Sequence, residues 1–264
     1  MSILTNKYQA YKYKYSPLLE DLIAKFIFKL SPIRFGPEKH RRILFFHSRK
    51  TGGTSLNHMF TSYFSDADYI ANNFNNYSKR YRVIRKGFIV QASNISLLEQ
   101  GNYHYGCTHI PSWKIKEPNN TFTISIFRDP IRRIISHYND IKGKVERGEK
   151  HSCLQEESKF LGSSFTEFVD NLPPEKLLSQ LYNFSNDFDI DEAVKKIKAL
   201  NLTLTLENIS NGVQRINNRL GIDLKLVKKN KSKSFNMPST DEINYLSNKI
   251  QLEIELFKNL GISF

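Results

Sequence analysis

The feature that most constrains the fold of this chain is a short apolar run that leads directly into a glycine-containing turn. Residues 43–47 are apolar apart from a final histidine, and Gly52 and Gly53 follow just before a helix that begins near Thr54. An apolar run without alternation is typical of a strand buried on both faces of a parallel sheet. A strand, a tight turn and a helix in this order predict a βα unit, and ligands of open α/β sheets bind at the carboxyl ends of such strands.

The rest of the chain continues this alternation of strands and helices. We predict further strands at 88–90, 103–107, 121–127 and 202–206, and helices at 130–147, 165–182, 190–199 and 207–219. A last helix begins at the capping box formed by Ser239 and Glu242 and ends at Gly261. The alternation predicts an α/β fold with a mostly parallel central sheet flanked by helices.

We divide the chain into an N-terminal arm, residues 1–40, and a single domain, residues 41–264. The arm contains an amphipathic helix at 18–30, in which charged residues interrupt the apolar ones, so the stretch is neither a membrane span nor a signal-peptide core. We expect its apolar stripe to pack on the domain. The alternative is a helix that lies on a membrane surface, helped by Lys7, Lys12 and Lys14. With no export signal, we expect a cytoplasmic protein.

The charge balance points to an anionic partner or substrate. Lysine and arginine exceed aspartate and glutamate by 13. Residues 228–233 form a basic loop, which is either a solvated surface segment or a segment that closes over an anion. The charge alone leaves nucleic acid, acidic polysaccharide, anionic lipid and a phosphorylated nucleotide open. A hydrophobic fraction of 39% excludes a wholly disordered chain. Because Cys107 and Cys153 lack metal-ligand spacing, we expect no metal site.

The turn after the first strand has the composition of an anion-binding loop. Its members are Lys50, Thr51, Gly52, Gly53, Thr54 and Ser55. A helix N-terminus leaves backbone N–H groups unpaired, the glycines let a phosphate approach them, and the lysine and hydroxyl groups add donors. The loop is not a Walker A motif, because its lysine precedes the glycines. An ATP-dependent phosphotransferase is therefore a secondary hypothesis.

A second anion site is predicted where the strand at 121–127 ends. Arg128 follows this strand, Asp129 is a helix N-cap with Pro130 at the first helical position, and Arg133 and Ser136 lie three residues apart on the helix. An arginine fork and a hydroxyl group suit a phosphate. We expect this second pocket to lie beside the first.

Together the two segments resemble the PAPS-dependent sulfotransferases (PAPS is 3′-phosphoadenosine 5′-phosphosulfate). Lys50 to Ser55 is similar to the loop that holds the 5′-phosphosulfate, and Arg128-Asp129-Pro130 with Arg133 and Ser136 is similar to the 3′-phosphate motif. The resemblance implies that Arg128 and Ser136 hold the 3′-phosphate. The resemblance is strongest to the carbohydrate branch, which includes heparan-sulfate 2-O-sulfotransferases and many bacterial sulfotransferases. Arg49 departs from the family pattern, which usually has proline there.

The resemblance implies a P-loop-NTPase-like architecture and a defined reaction. The enzyme would move a sulfuryl group from PAPS, its co-substrate, to a hydroxyl of a saccharide, polysaccharide or glycolipid, without a metal. Lys50 would act in catalysis as well as in binding. The family places its base histidine in a Gly-His segment between the two motifs. This position implies that His109 is the base, although Cys107 and Thr108 stand between the glycine and the histidine here. His104 is the alternative base.

A basic, non-catalytic nucleic-acid binder is the hypothesis from a different functional class. The chain lacks a recognition-helix motif and a clustered aromatic platform, so we expect no nucleic-acid partner. The sequence leaves the oligomeric state open.

Overall fold

The computed structural model describes residues 18–64, 66–76, 81–149, 152–227 and 237–264. The basic loop at 228–233 and the arm lysines Lys7, Lys12 and Lys14 lie outside these residues. The strands are β1 (Arg42–Phe46), β2 (Arg82–Arg85), β3 (Phe88–Gln91), β4 (Tyr105–Thr108), β5 (Thr121–Phe127) and β6 (Leu202–Thr205). The first helix, α1, covers residues 18–30. The others are α2 (Gly53–Phe64), α3 (Ala67–Asn76), α4 (Ile95–Gln100), α5 (Pro130–Glu146), α6 (Ser152–Glu157), α7 (Phe165–Asn171), α8 (Pro174–Leu177), α9 (Ser179–Tyr182), α10 (Ile190–Ala199), α11 (Ile209–Leu220), α12 (Thr240–Lys249) and α13 (Gln251–Asn259).

The six strands form one sheet in the order β2-β3-β4-β1-β5-β6. Only the pair at one edge, β2 with β3, is antiparallel, and the other neighbouring strands are parallel. Helices pack on both faces. The prediction of an α/β fold with a mostly parallel, helix-flanked sheet is therefore confirmed.

Strand β1 lies in the middle of the sheet and is buried along its whole length. Leu44 and Phe46 belong to the core cluster on one face, which α1, α5 and α13 also help to form. Ile43 and Phe45 belong to the cluster on the other face, with residues of α2 and α11. An unbroken apolar run is what a strand covered on both faces requires.

Two predicted helices are broken in the structure, and one strand was not predicted. The helix expected at 165–182 is three short helices, because Pro173 and Pro174 lack the N–H groups that a continuous helix needs. The last helix divides at Ile250 into α12 and α13. Strand β2 was not predicted, because its arginines interrupt the apolar pattern that indicates a strand. It lies at the edge of the sheet and is joined to β3 by a two-residue turn, Lys86 and Gly87, both at positive φ.

The expectation that the apolar stripe of α1 packs on the domain is wrong for all of its members except Ile27, which is half-buried against the core. The helix contacts the domain through the side opposite its exposed apolar residues, where Ala24 is 0% and Phe28 is 5% exposed. Asp21 on the same side accepts a hydrogen bond from Arg82 at 3.0 Å. No helix among the described residues is long and apolar enough to cross a membrane.

Candidate functional site

The fold brings the two predicted anion sites into contact. Strands β1 and β5 are parallel neighbours, so both segments leave the same edge of the sheet. A guanidinium N–H of Arg128 donates a hydrogen bond to the backbone carbonyl of Lys50 at 3.0 Å. The Lys50 ammonium lies 3.3 Å from the carboxylate of Asp140 on α5, the helix that carries Ser136. The loop after β1 and the segment after β5 therefore form one site.

The loop between β1 and α2 presents backbone donors at a helix start. Lys50 and Gly52 both have positive φ, at 67° and 88°, and this conformation turns the chain sharply before α2 begins at Gly53. The N–H groups of Thr51 to Thr54 have no backbone acceptor within the part of the chain that the structure describes. Because the dipole of α2 adds positive potential at the same place, the loop fits an anion such as a phosphate.

The hydroxyl groups of this loop have different environments. Thr51 is fully buried, and its hydroxyl donates to the carbonyl of Ser48 at 2.9 Å, so its side chain fixes the loop and only its N–H remains for a ligand. Thr54 is exposed and Ser55 is half-buried. Ser136, on α5, is also half-buried. These three hydroxyl groups remain candidates for ligand contacts.

The two glycines are required by what lies beneath the loop. A Cβ on Gly52 would lie 2.4 Å from Leu206, and a Cβ on Gly53 would lie 2.0 Å from the ring of His47. Both distances are far below van der Waals contact. Alanine at Gly52 would strain a backbone whose φ is 88°, and alanine at Gly53 would displace the His47 ring.

Lys50 is held in a partly desolvated, acid-paired position. Burial lowers the pKa of its ammonium group below the ordinary lysine value, and the charge of Asp140 offsets part of this effect. Asp140 also pairs with Lys144 at 3.0 Å. A lysine with weakened hydration interacts strongly with an anion that replaces water around it.

Arg49 anchors the loop from the outside. Its guanidinium lies 2.5 Å from the Glu157 carboxylate, which His137 also contacts at 3.2 Å. Burial would raise the pKa of Glu157, but the hydrogen bond from His137 and the charge of Arg49 outweigh it and hold that pKa below its ordinary value. Arg49 thus ties the loop to α6.

The backbone of Arg128 is clamped by Gln180, a residue that sequence reasoning missed. The Gln180 amide accepts from the Arg128 N–H at 2.9 Å and donates to the Arg128 carbonyl at 3.0 Å. Gln180 in turn donates to the carboxylate of Glu253 at 2.8 Å. Glu253 is a fully buried acid within the apolar stripe of the last helix, and that anomaly was the one sequence signal for this clamp.

Arg133 does not join Arg128 and Ser136, contrary to the sequence-based hypothesis. Its guanidinium is 1% exposed, pairs with Glu253 at 3.2 Å and donates to the carbonyl of Leu177. A buried arginine is retained only where a carboxylate and carbonyls satisfy it. Asp129, in contrast, caps α5 as predicted by accepting from the N–H of Arg132 at 2.7 Å.

His109 lies beside the loop in a defined tautomer. Its Nδ1 is 2.8 Å from the carbonyl oxygen of His47, and the two rings are 4.4 Å apart. A carbonyl accepts only, so Nδ1 carries the proton and Nε2 carries the lone pair. His109 keeps solvent contact, yet the burial of its ring lowers its pKa. The ring is therefore neutral at neutral pH, with a basic nitrogen available.

His104, the alternative base, has both ring nitrogens engaged. Its Nδ1 accepts from the N–H of Ile89 at 3.1 Å, so its Nε2 carries the proton and donates to Ser31 at 2.8 Å. The residue is fully buried just before β4, at the amino edge of the sheet, and burial lowers its pKa to about 4. These contacts are those of a structural histidine.

The fold and the site define an α/β protein in which two segments suited to anions lie side by side at the carboxyl edge of the sheet. Within the described residues, no group of three or more histidine, cysteine, aspartate or glutamate side chains could hold a metal ion. The profile of the sulfotransferase family matches residues 35–258, which include both anion-binding segments. The chain belongs to the sulfotransferase family.

No curated protein sequence matches the chain significantly. Among solved structures, retinol dehydratase in complex with androsterone and the inactive cofactor PAP aligns over 93% of this chain and 71% of that chain. The identity is 16% and the TM-score 0.35, a likeness too distant to bear on this chain.

Proposed function

We propose that this chain transfers a sulfuryl group from PAPS to a hydroxyl group of a saccharide, polysaccharide or glycolipid. The observation that carries the proposal is the hydrogen bond from Arg128 to the Lys50 carbonyl, because it sets the two anion-binding segments side by side. PAPS has anionic groups at two ends, and a ligand of that kind needs two such segments. Family membership supports sulfuryl transfer over the ATP-phosphotransferase and nucleic-acid hypotheses.

The residues present fit PAPS at both ends. The unpaired N–H groups of Thr51 to Thr54 and the Lys50 ammonium would hold the 5′ end, with the hydroxyl groups of Thr54 and Ser55 as further donors. Arg128 and Ser136 would hold the 3′-phosphate. A guanidinium has five N–H donors, so Arg128 can contact the Lys50 carbonyl and still bind a phosphate.

PAPS supplies an activated sulfuryl group when it is bound. Lys50 acts on the negative charge that grows on the bridging oxygen as the sulfuryl group leaves, and its fixed ammonium stabilises that charge more in the transition state than before it. Its partial desolvation strengthens this interaction, and Asp140 keeps the side chain beside the loop.

His109 accepts the proton of the attacking hydroxyl group. Its hydrogen bond to the His47 carbonyl fixes the tautomer that leaves Nε2 basic, and its lowered pKa keeps the ring neutral at neutral pH. Both are conditions for a general base.

Incubation with labelled PAPS and a panel of glycan and glycolipid acceptors tests the proposal. We expect transfer to at least one acceptor and tight binding of 3′-phosphoadenosine 5′-phosphate (PAP). His109→Ala should lower kcat by about 10²- to 10⁴-fold while PAP affinity stays the same, and His40→Gln, at the opposite edge of the sheet, should change neither. Absence of both PAP binding and transfer would contradict the proposal, and normal turnover of His109→Ala would remove that residue from the base role.

Arg128→Ala tests the 3′ end separately. We expect this variant to lose the preference for PAP over adenosine 5′-phosphate, which lacks the 3′-phosphate, because one charge-assisted contact of about 1.5–3 kcal/mol is removed. Calorimetric titration of both nucleotides measures the preference. If the preference survives, the 3′-phosphate lies elsewhere.

A further inference from the structure

Helix α1 presents a continuous apolar surface that the domain does not cover. We define the apolar face of α1 as Leu18, Leu19, Leu22, Ile23, Phe26 and Leu30. These side chains are between 41% and 80% exposed. At 100° per residue they occupy one side of the helix. Contiguous exposed apolar patches mark interaction surfaces, whereas single exposed residues do not.

The position of the helix is fixed, so the exposed face is a stable feature. Asp21 pairs with Arg82 at 3.0 Å, and Ala24 and Phe28 are buried in the domain core. The Phe28 ring packs against His104 at 5.3 Å, and its carbonyl accepts a hydrogen bond from Arg41 at 2.8 Å. To turn its apolar face toward the described part of the domain, the helix would have to break these contacts.

We propose that the apolar face of α1 docks this protein onto an anionic membrane surface. Lys25 and Lys29 border the face and line a shallow groove with Leu22, Ile23 and Phe26. Lys25 is paired with Asp21 at 2.7 Å, so Lys29 is the lysine of this border that can meet a headgroup without breaking an ion pair. Within the described residues Lys29 has no carboxylate at ion-pair distance. Residues 1–19 contain three lysines and no acidic residue. An apolar helix face with lysines at its border is the pattern that binds anionic lipid headgroups.

The same charges argue against a second copy of the chain as the occupant. Two copies that packed through this face would bring their Lys29 side chains together, and the net charge of +13 adds repulsion between the copies. A lipid surface, in contrast, accepts the apolar side chains and pairs its headgroups with the lysines, whose stems reach outward to them.

Docking of this kind does not depend on the proposed enzymatic function, but it bears on the acceptor. If the sulfotransferase reaction holds, a glycolipid acceptor would lie on the same surface as the docked enzyme. The vesicle experiment below uses no PAPS and no acceptor, so its failure is distinct from a failure of the proposed function.

Sedimentation of the full chain with vesicles tests the proposal. We expect binding to vesicles of phosphatidylcholine with one quarter phosphatidylglycerol, weaker binding to pure phosphatidylcholine, and a decrease as salt rises. The double variant Leu22→Ser, Phe26→Ser should partition into anionic vesicles about tenfold less or lower still, because it removes two apolar side chains from the interface. Lys29→Gln should weaken binding to anionic vesicles alone.

A matched control separates this face from exposed apolar residues in general. Leu252 on α13 is 43% exposed, and Leu252→Ser should bind vesicles like the unchanged chain. Thermal unfolding should be the same for all variants, since each altered side chain is exposed. No sedimentation with anionic vesicles, equal binding by the double variant, or a dimer that the double variant dissociates would overturn the proposal.

Discussion

Replacing Gly53 by alanine tests the packing that shapes the anion-binding loop. Gly53 is the first residue of α2 and its φ is not positive, so its backbone accepts alanine without strain. Helix propensity alone would make the change favourable by up to about 1 kcal/mol. The added Cβ, however, would lie 2.0, 2.1 and 2.4 Å from three atoms of the His47 ring.

The His47 ring cannot move aside at low cost. It stacks on Phe45, at 5.3 Å, and packs at a tilt against His109, at 4.4 Å. Relief of the clash requires a shift of roughly 1.5 Å to reach normal carbon contact. Overpacking of this kind costs about 1–3 kcal/mol, which corresponds to roughly 2–4 °C of melting temperature per kcal/mol. The shift would also displace His109, the proposed base.

Gly143→Ala is the matched control, because it also places alanine in a helix but meets only the flexible end of Arg147, at 2.9 Å. We expect Gly53→Ala to melt several degrees lower and to bind PAP less tightly, and Gly143→Ala to melt at the same temperature or higher. Scanning calorimetry and titration with PAP measure both effects. If Gly53→Ala is as stable as Gly143→Ala and binds PAP normally, the described contact between loop and histidine is wrong.

Three further predictions concern the charged groups around the site. Burial lowers the pKa of both His109 and Lys50. The kcat/KM profile should therefore fall on the acid side with an apparent pKa below the ordinary histidine value of about 6.5, and on the alkaline side with an apparent pKa below the lysine value of about 10.4. An acid-side pKa at the ordinary histidine value would exclude His109. Glu253→Gln should cost about 3–5 kcal/mol in urea unfolding, since it leaves a buried arginine without its carboxylate, and a cost below 1 kcal/mol would show that the ion pair is not buried as described. The pKa of Glu157 is held low in the folded chain. Its contribution to stability should therefore be present above the ordinary glutamate pKa of about 4.3 and disappear as the pH falls through the pKa of the folded state. In thermal unfolding, Arg49→Ala should move this loss of stability to higher pH, and no movement would exclude the pairing of Arg49 with Glu157.

The sequence was sufficient to predict the elements that buried apolar runs define. Strand β5 has the predicted bounds at 121–127, and β1 differs by one residue at each end. The N-cap at Asp129 and the capping box at Ser239 were predicted because they depend on side chains within four residues of one another. Helix caps of this kind can be predicted from the sequence because they do not depend on tertiary contacts.

Features that depend on distant contacts were not predictable in this way. Periodicity shows that α1 has an apolar side, but the side that faces the domain makes contacts with distant residues, such as the ion pair between Asp21 and Arg82. Arg133 has the spacing of a ligand residue, yet it is buried in the core, where it pairs with Glu253, 120 positions away in the chain. The tautomer of His109 likewise depends on a carbonyl group of another strand end.

The most direct test of the account is a crystal structure of the chain with PAP bound. The account predicts the 5′-phosphate on the N–H groups of Thr51 to Thr54, the 3′-phosphate on Arg128 and Ser136, and His109 at the side of the pocket where an acceptor would enter. PAP bound at only one of these ends, or on a different edge of the sheet, would contradict it.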